Sequence, residues 1–313
     1  MTRHIVERLF ISVPVLIGVL LIGFLLLQVV PTDPATVAAG PTASVAEIEA
    51  IRQAMGLNEP IYTQFFLYIT RVLQGDLGRS IISNALVADE LASTIGPTVE
   101  LMLASLIWAA PLGVGLGTLA ATLRGTIYDR IIVAISVAGV SMPIFWFGLM
   151  LIWIVGFKLQ LLPFVGRGGP VWTRDGFLNL IMPALTLGGV FVGPTARLTR
   201  TTVLEVLRAD YVRTARAKGL GERVVVVRHA LRNAMIPIVT LIGLQIGFLL
   251  GGAVVTETMF SWPGVGRLAV GAITSADYSL AQGAIIVLAL SFIIVNLIVD
   301  VLYAVLDPRI RRT

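Results

Sequence analysis

The sequence contains no cysteine, only two histidines, His4 and His229, and only two lysines, Lys158 and Lys218. The first absence excludes disulfides, thiolate metal sites and cysteine nucleophiles. The histidines cannot form an H-E-x-x-H zinc site, and neither lysine stands in the G-x-x-x-x-G-K-[ST] loop that cradles nucleotide phosphates. Charge is scarce as well: 13% of the 313 residues are Asp, Glu, Lys or Arg, about half the ~25% of soluble domains.

What is abundant is apolar side chain, 57% of the chain. Runs at Leu9 to Val30, Val99 to Leu123, Ile131 to Phe157, Leu178 to Ala196, Ile236 to Thr256 and Gly283 to Val299 each approach or exceed the ~20 residues a helix needs to cross hydrocarbon. Six spans follow, with Gly188, Gly189, Gly193 and Pro194 interrupting the fourth. A barrel would show alternating segments of ~10 residues instead, so the expected fold is an all-α polytopic membrane protein, a single transmembrane domain over 1–313. The first run follows Arg3 and Arg8 and lacks a small-residue cleavage site, so it reads as a retained helix rather than a signal peptide.

The charges orient the chain. Sixteen Lys/Arg fall on the side of the N-terminus, nine of them between Arg197 and Arg232, against seven opposite. The positive-inside rule places both termini in the cytoplasm. The segment 31–95 then lies outside with three Lys/Arg and seven Asp/Glu, so the net charge of +5 belongs to the cytoplasmic loops and implies no nucleic acid. Glu100, Lys158, Arg197, Glu257 and Asp300 sit at run ends, and the middles of the runs carry no charge. A central charge costs at least ~2.5 kcal/mol and is kept mainly for proton relays, ion sites or intramembrane chemistry. A self-sufficient secondary carrier, an intramembrane protease and a membrane enzyme are all disfavoured.

Other polar and small residues read first as packing. Gly243, Gly247 and Gly251, with the shorter pair Gly113 and Gly117, form faces along which helices approach closely, within the chain or at a subunit interface. Gln245 and Asn296 read as interhelical hydrogen-bond partners, and Trp108, Trp146 and Trp153 as packing or interfacial anchors. Within 31–95, Ser44-Val-Ala-Glu47 is a capping box, Ile48, Ile51 and Met55 share a helical face that Gly56 stops, and Pro60 to Leu73 is a second amphipathic helix. Together they suggest a small helical cap packed on the outer surface, either a docking surface for an external partner or packing alone.

The stretch 199–235 is too basic for lipid, yet Leu204, Leu207, Tyr211 and Ala215 recur at helical spacing. The expectation is an amphipathic cytoplasmic helix that ends on Gly219 as its C′ residue, with Arg213, Arg216 and Lys218 in the last turn where cations suit the dipole. A second helix from Glu222 to about Asn233 would lead into the fifth span. Small residues at Thr214, Ala215 and Ala217 beside a glycine turn suit insertion into a partner's groove.

At these residues the sequence resembles a family. Tyr211 to Leu220 and Arg228 to Pro237 match Y-x-R-T-A-R-A-K-G-L and R-H-A-L-R-N-A-M-I-P, the peptide-transporter form of the EAA motif of ABC-importer permeases. The resemblance runs through R-L-x-x-x-x-P-V-L (Arg8 to Leu16), P-x-D-P (Pro31 to Pro34), M-G-L-N-E-P-I-Y (Met55 to Tyr62), G-D-L-G (Gly75 to Gly78), E-T-M-F-S-W-P-G-V-G-R-L (Glu257 to Leu268) and V-D-V-L-Y-A-V-L-D-P-R-I-R (Val299 to Arg311). It is similar to the first permease subunit of dipeptide, oligopeptide and glutathione importers, the glutathione type above all. Arg213 replaces the general motif's glutamate, Leu231 matches its late leucine, Arg232 takes its proline's place ahead of Pro237, and Thr32 stands where the family carries glycine, which alters the turn between Pro31 and Pro34.

The resemblance implies the six-helix fold of a type I importer permease in a bacterial inner membrane. It implies that Tyr211, Arg213, Thr214, Ala215, Arg216, Ala217, Lys218, Gly219 and Leu220 couple the chain to a cytoplasmic ATPase. It implies no cofactor in this chain, ATP and Mg²⁺ in two partner ATP-binding subunits, a homologous second permease subunit, and an extracytoplasmic peptide-binding protein. Nickel or opine importers of the same family, and less favourably an ATP-independent channel or carrier, are the alternatives.

Overall fold

The computed structural model describes residues 2–29 and 33–306. Pro31 and Thr32, and Asp307 to Arg311 of the closing motif with Arg312, lie outside the described residues. Every regular element among them is helical: α1 (Thr2–Val29), α2 (Pro34–Ala39), α3 (Val45–Ala54), α4 (Ile61–Leu73), α5 (Val87–Thr122), α6 (Ile127–Ser141), α7 (Ile144–Leu151), α8 (Arg174–Leu207), α9 (Asp210–Ala217), α10 (Glu222–Val224), α11 (Arg232–Met259), α12 (Val265–Thr274) and α13 (Tyr278–Leu306). Two π-helical stretches, Ile152–Lys158 and Val225–Leu231, continue α7 and join α10 to α11.

Five helices are long and apolar enough to cross a membrane, and α6 with α7 and its π-helical continuation, bent by 104°, is a sixth when the pair is counted as one span. The third run is therefore not the straight span expected over Ile131 to Phe157. Pro143 supplies no N–H and holds Met142 in extended backbone, φ −80 and ψ 127. Met142 N–H donates back to the Ala138 carbonyl at 3.2 Å, so the break leaves that donor satisfied.

The fourth run departs in the other direction. Expected to be interrupted, it is one unbroken 34-residue helix with Pro183 and Pro194 inside it. Of its most apolar window 61% is buried, against 22% for the first and last spans. Its glycines admit neighbours rather than breaking the helix. A Cβ at Gly188 would lie 2.7 Å from the Trp108 indole nitrogen, at Gly189 2.8 Å from the Phe147 ring, and at Gly193 2.4 Å from the Ser136 carbonyl oxygen. α8 thus touches α5, α7 and α6 along these positions, and packs on α11.

The residues form two compact units. Among the described residues the first comprises 99–262 and 295–306, with a core in which Leu101, Leu187, Phe191, Leu249 and Trp262 are buried. Trp108 donates to the Ala184 carbonyl at 3.0 Å, which makes it a packing residue. Arg200 forks onto Asp129 at 2.6 and 2.9 Å, tying α8 to the start of α6, and Gly125 N–H adds a third donor at 3.0 Å. Arg167 meets Glu100 at 2.6 Å.

The second unit comprises 2–98 and 263–294. Leu27, Val87, Leu91, Leu280 and Ala284 form one core, and Leu20, Phe24, Tyr68 and Ile286 another. Phe24 and Tyr68 stack at 6.0 Å between ring centroids, and Phe65 lies 5.4 Å from Phe24, so α4 lies along α1. The expected capping box is formed: Ser44 Oγ accepts from Glu47 N–H and the Glu47 carboxylate accepts from Ser44 N–H. The Ser44 N–H and the Ser44 hydroxyl both donate to the Glu47 carboxylate and hold its carboxyl below its ordinary 4.5. Gly56 at φ 70 follows the end of α3, as its position in the sequence predicts.

Candidate functional site: the basic hairpin between α8 and α11

The chain leaves α8 at Leu207, and Ala209 turns it with extended backbone, φ −68 and ψ 147. The single amphipathic helix expected there is two pieces, the last turns of α8 and the eight-residue α9, because Arg208 and Ala209 interrupt it. α9 closes on Gly219 at φ 79. Gly219 N–H donates to Arg216 O at 2.9 Å and Leu220 N–H to Ala215 O at 3.4 Å, the paired bonds of a Schellman turn. The left-handed torsion costs an L residue roughly 1–2 kcal/mol and glycine nothing.

Val212, Ala215 and Val225 are buried together, with Val206 and Leu207 packed against them. The hairpin therefore has its own small core. Ala215, expected on the face that enters a partner, points inward and is 6% exposed. The physical reason is the i, i+3 pairing of Val212 with Ala215, the only apolar pair on α9 wide enough to meet Val225. Arg213, Thr214, Ala217, Lys218, Gly219 and Leu220 remain on the exposed surface.

Polar contacts fasten the hairpin. Arg216 forks onto Glu222 at 3.0 and 2.6 Å across the glycine turn, and this partner raises the arginine's already high pKa. Asn233 donates to the Tyr211 hydroxyl and to the His229 carbonyl, both at 2.9 Å, which ties α9 to the foot of α11. Thr214 donates to the Asp210 carbonyl at 3.0 Å and so has no acceptor-seeking proton to offer a partner. What the hairpin presents is a rigid knob: a nearly bare turn at Ala217 and Gly219, rimmed by Arg213 and Lys218.

Val212, Val225, Glu222 and Asn233 were not apparent as parts of this site in the sequence. The Arg216–Glu222 pair had a signal, opposite charges flanking a C′ glycine. The Val212–Val225 contact had none, because residues on separate helices carry no shared period.

The glycine faces separate. Gly113 and Gly117 of α5 meet α8 closely: a Cβ would lie 2.7 Å from Thr195 Cβ at Gly113 and 2.4 Å from the Ala196 carbonyl oxygen at Gly117. On α11, Gly243 and Gly247 are buried, whereas Gly251 is exposed and a Cβ there would meet nothing within 4 Å. Gln245 Nε2, expected to bond across helices, is buried without a partner.

A family model described as the inner membrane component of binding-protein-dependent transport systems matches residues 113–312, and one for the N-terminal part of such membrane components matches residues 1–88. The chain is 45% identical over 311 residues to the glutathione transport system permease protein of Escherichia coli (strain K12), covering 99% of both chains. It is 44% identical over the same length to the protein of that name in Shigella boydii serotype 4.

Proposed function

Because the chain belongs to the inner membrane components of binding-protein-dependent transport systems, we propose that it forms half of the membrane pathway of an ATP-driven importer for small peptides, glutathione among them. It is a multi-pass permease of the inner membrane and a transport component rather than an enzyme, working with ATPase and binding-protein subunits. The other half of the pathway is a homologous second permease. Two ATP-binding subunits hold ATP and Mg²⁺, and this chain holds neither.

The observation that carries the reading is the preorganised basic knob at 211–220. A chain whose spans have uncharged centres takes its free energy through an interface, and the knob has the form such an interface requires. Its core and its Arg216–Glu222 and Asn233–Tyr211 ties let it move as one body with α11, so displacement at the turn reaches the membrane helix. Both termini and the hairpin face the cytoplasm, supported by the sixteen-to-seven distribution of Lys/Arg. Assignment of peptide as cargo rests on the glutathione transport systems to which its relatives belong. The delivering protein docks on the opposite, extracytoplasmic side.

The test is to tag the chain in its host, solubilise gently, and identify by mass spectrometry what copurifies, comparing wild type with Ala217→Glu and Gly219→Trp. Ala217 is exposed, so its substitution spares the hairpin core, whereas Gly219→Trp also strains the turn at φ 79. Recovery of a second permease and P-loop ATPases, with the ATPases depleted by either variant and uptake of radiolabelled glutathione lost, supports the reading. A chain that purifies alone, or uptake that survives ATP depletion, removes it.

A further inference from the structure

A cavity of ≈ 580 Å³ opens beside the hairpin, walled by Pro111, Val114 and Leu119 of α5 and by Val226, Val227 and Leu231 of the π-helical stretch. Nothing in the coupling reading uses it. From Pro111 to Thr122 the α5 wall is twelve residues, eleven rises and so about 16 Å long. That is the depth of one leaflet of a ~30 Å hydrocarbon layer. Leu119 and Val227 are 46% and 56% exposed, so the groove is open along its side.

Its only charged lining residues are Glu222 and Arg223 at one end. Glu222 is neutralised by its fork to Arg216. Arg223 is exposed and makes no ion pair among the described residues. The groove is thus apolar for one leaflet's depth and ends on an uncommitted guanidinium. We infer that it seats an anionic phospholipid of the inner leaflet, one acyl chain lying against α5 and the headgroup phosphate on Arg223. This rests on the reading that the hairpin faces the cytoplasm. Arg223 can bond the phosphate oxygens of either headgroup by short charge-assisted bonds, and net charge selects the anionic lipid over a zwitterionic one, whose headgroup ammonium offsets the attraction. The bound headgroup sits one residue from Glu222, whose carboxylate braces the knob, so lipid and ATPase contact the same hairpin from two sides.

The experiment uses the full chain, purified in mild detergent and titrated with phosphatidylglycerol or phosphatidylcholine under native mass spectrometry, alone and in the assembled transporter. Wild type is expected to retain one phosphatidylglycerol in preference to phosphatidylcholine. Arg223→Gln lowers that preference roughly fivefold and Arg223→Lys restores most of it. Gly115→Leu, on the same α5 face where a Cβ would meet nothing within 4 Å, fills the groove without disturbing packing and lowers retention of both lipids.

Retention unchanged by Arg223→Gln and Gly115→Leu overturns the site. So does its loss in the assembled transporter with Gly115→Cys crosslinking to a second protein chain, which would make the groove a subunit interface. Because the sequence has no cysteine, Lys218→Cys reports orientation cleanly. Labelling of that thiol by an impermeant maleimide from outside intact cells overturns the cytoplasmic reading and the inner-leaflet assignment with it. An unlabelled thiol with no retained lipid overturns the lipid site alone.

Discussion

Two glycine faces with the same four-residue spacing do different things in this molecule. On α5, Gly113 and Gly117 lie against the backbone and threonines of α8, with no room for a methyl group. On α11, Gly251 completes the spacing begun by Gly243 and Gly247, yet looks into open space. Spacing places glycines on one side of a helix, and only a neighbour makes that side an interface. Gly115 makes the point within α5 itself, since it stands between the two close-packed glycines and touches nothing.

The sharpest way to break the comparison is Gly117→Leu. The nearest obstacles are the Ala196 carbonyl oxygen at 2.4 Å, Thr199 Cβ at 2.5 Å and the Arg200 amide nitrogen at 3.0 Å, and the backbone atoms cannot swing aside. We expect a loss of about 3 kcal/mol or more, read as absence of monodisperse protein in size-exclusion chromatography after detergent extraction. Normal yield and thermal stability would show that α5 and α8 are not held this way. Gly113→Ala is milder, because its first contacts are with the Thr195 side chain. We expect about 2 kcal/mol, seen as a lowered melting temperature in a fluorescence thermal-shift assay.

Gly219→Ala separates torsion from space. No atom lies within 4 Å of a Cβ there, so its cost of about 1 kcal/mol comes from φ 79 alone. Hydrogen exchange at 210–233 should quicken while the transmembrane helices keep their protection. An equal loss across the chain would mean that Gly219 matters for packing. Gly251→Leu is the smallest in the isolated chain, within about 0.5 kcal/mol. A normal melting temperature combined with loss of the second permease on copurification would identify that glycine as part of a subunit interface.

Prolines repeat the lesson. Pro183 and Pro194 ride inside α8, whereas Pro143 bends the third crossing by 104°. Residue chemistry is identical in the three cases: each lacks an amide proton. Around α8, helices on several sides hold the helix continuous and can satisfy freed carbonyls. At Pro143 the chain turns and α7 restarts behind it. The span count was legible from apolar run lengths, and the capping box and Gly219 turn from local spacing, because all three depend on residues close in sequence. The inward turn of Ala215 was not legible. Whether a small residue faces a partner or its own hairpin depends on Val225, ten positions away across a loop.

The sequence by itself determined the class of this protein: helical, multi-pass, with nine of its 23 Lys/Arg in one basic segment and no charge at the span centres. Those features follow from the free energy of moving single residues between water and hydrocarbon, which needs no neighbours to evaluate. Tertiary structure alone decided which glycines are contacts, which prolines break a helix, and which face of the hairpin is free. Each of those is a matter of a few ångströms between residues far apart in the chain, and steric exclusion exists only once the helices have met.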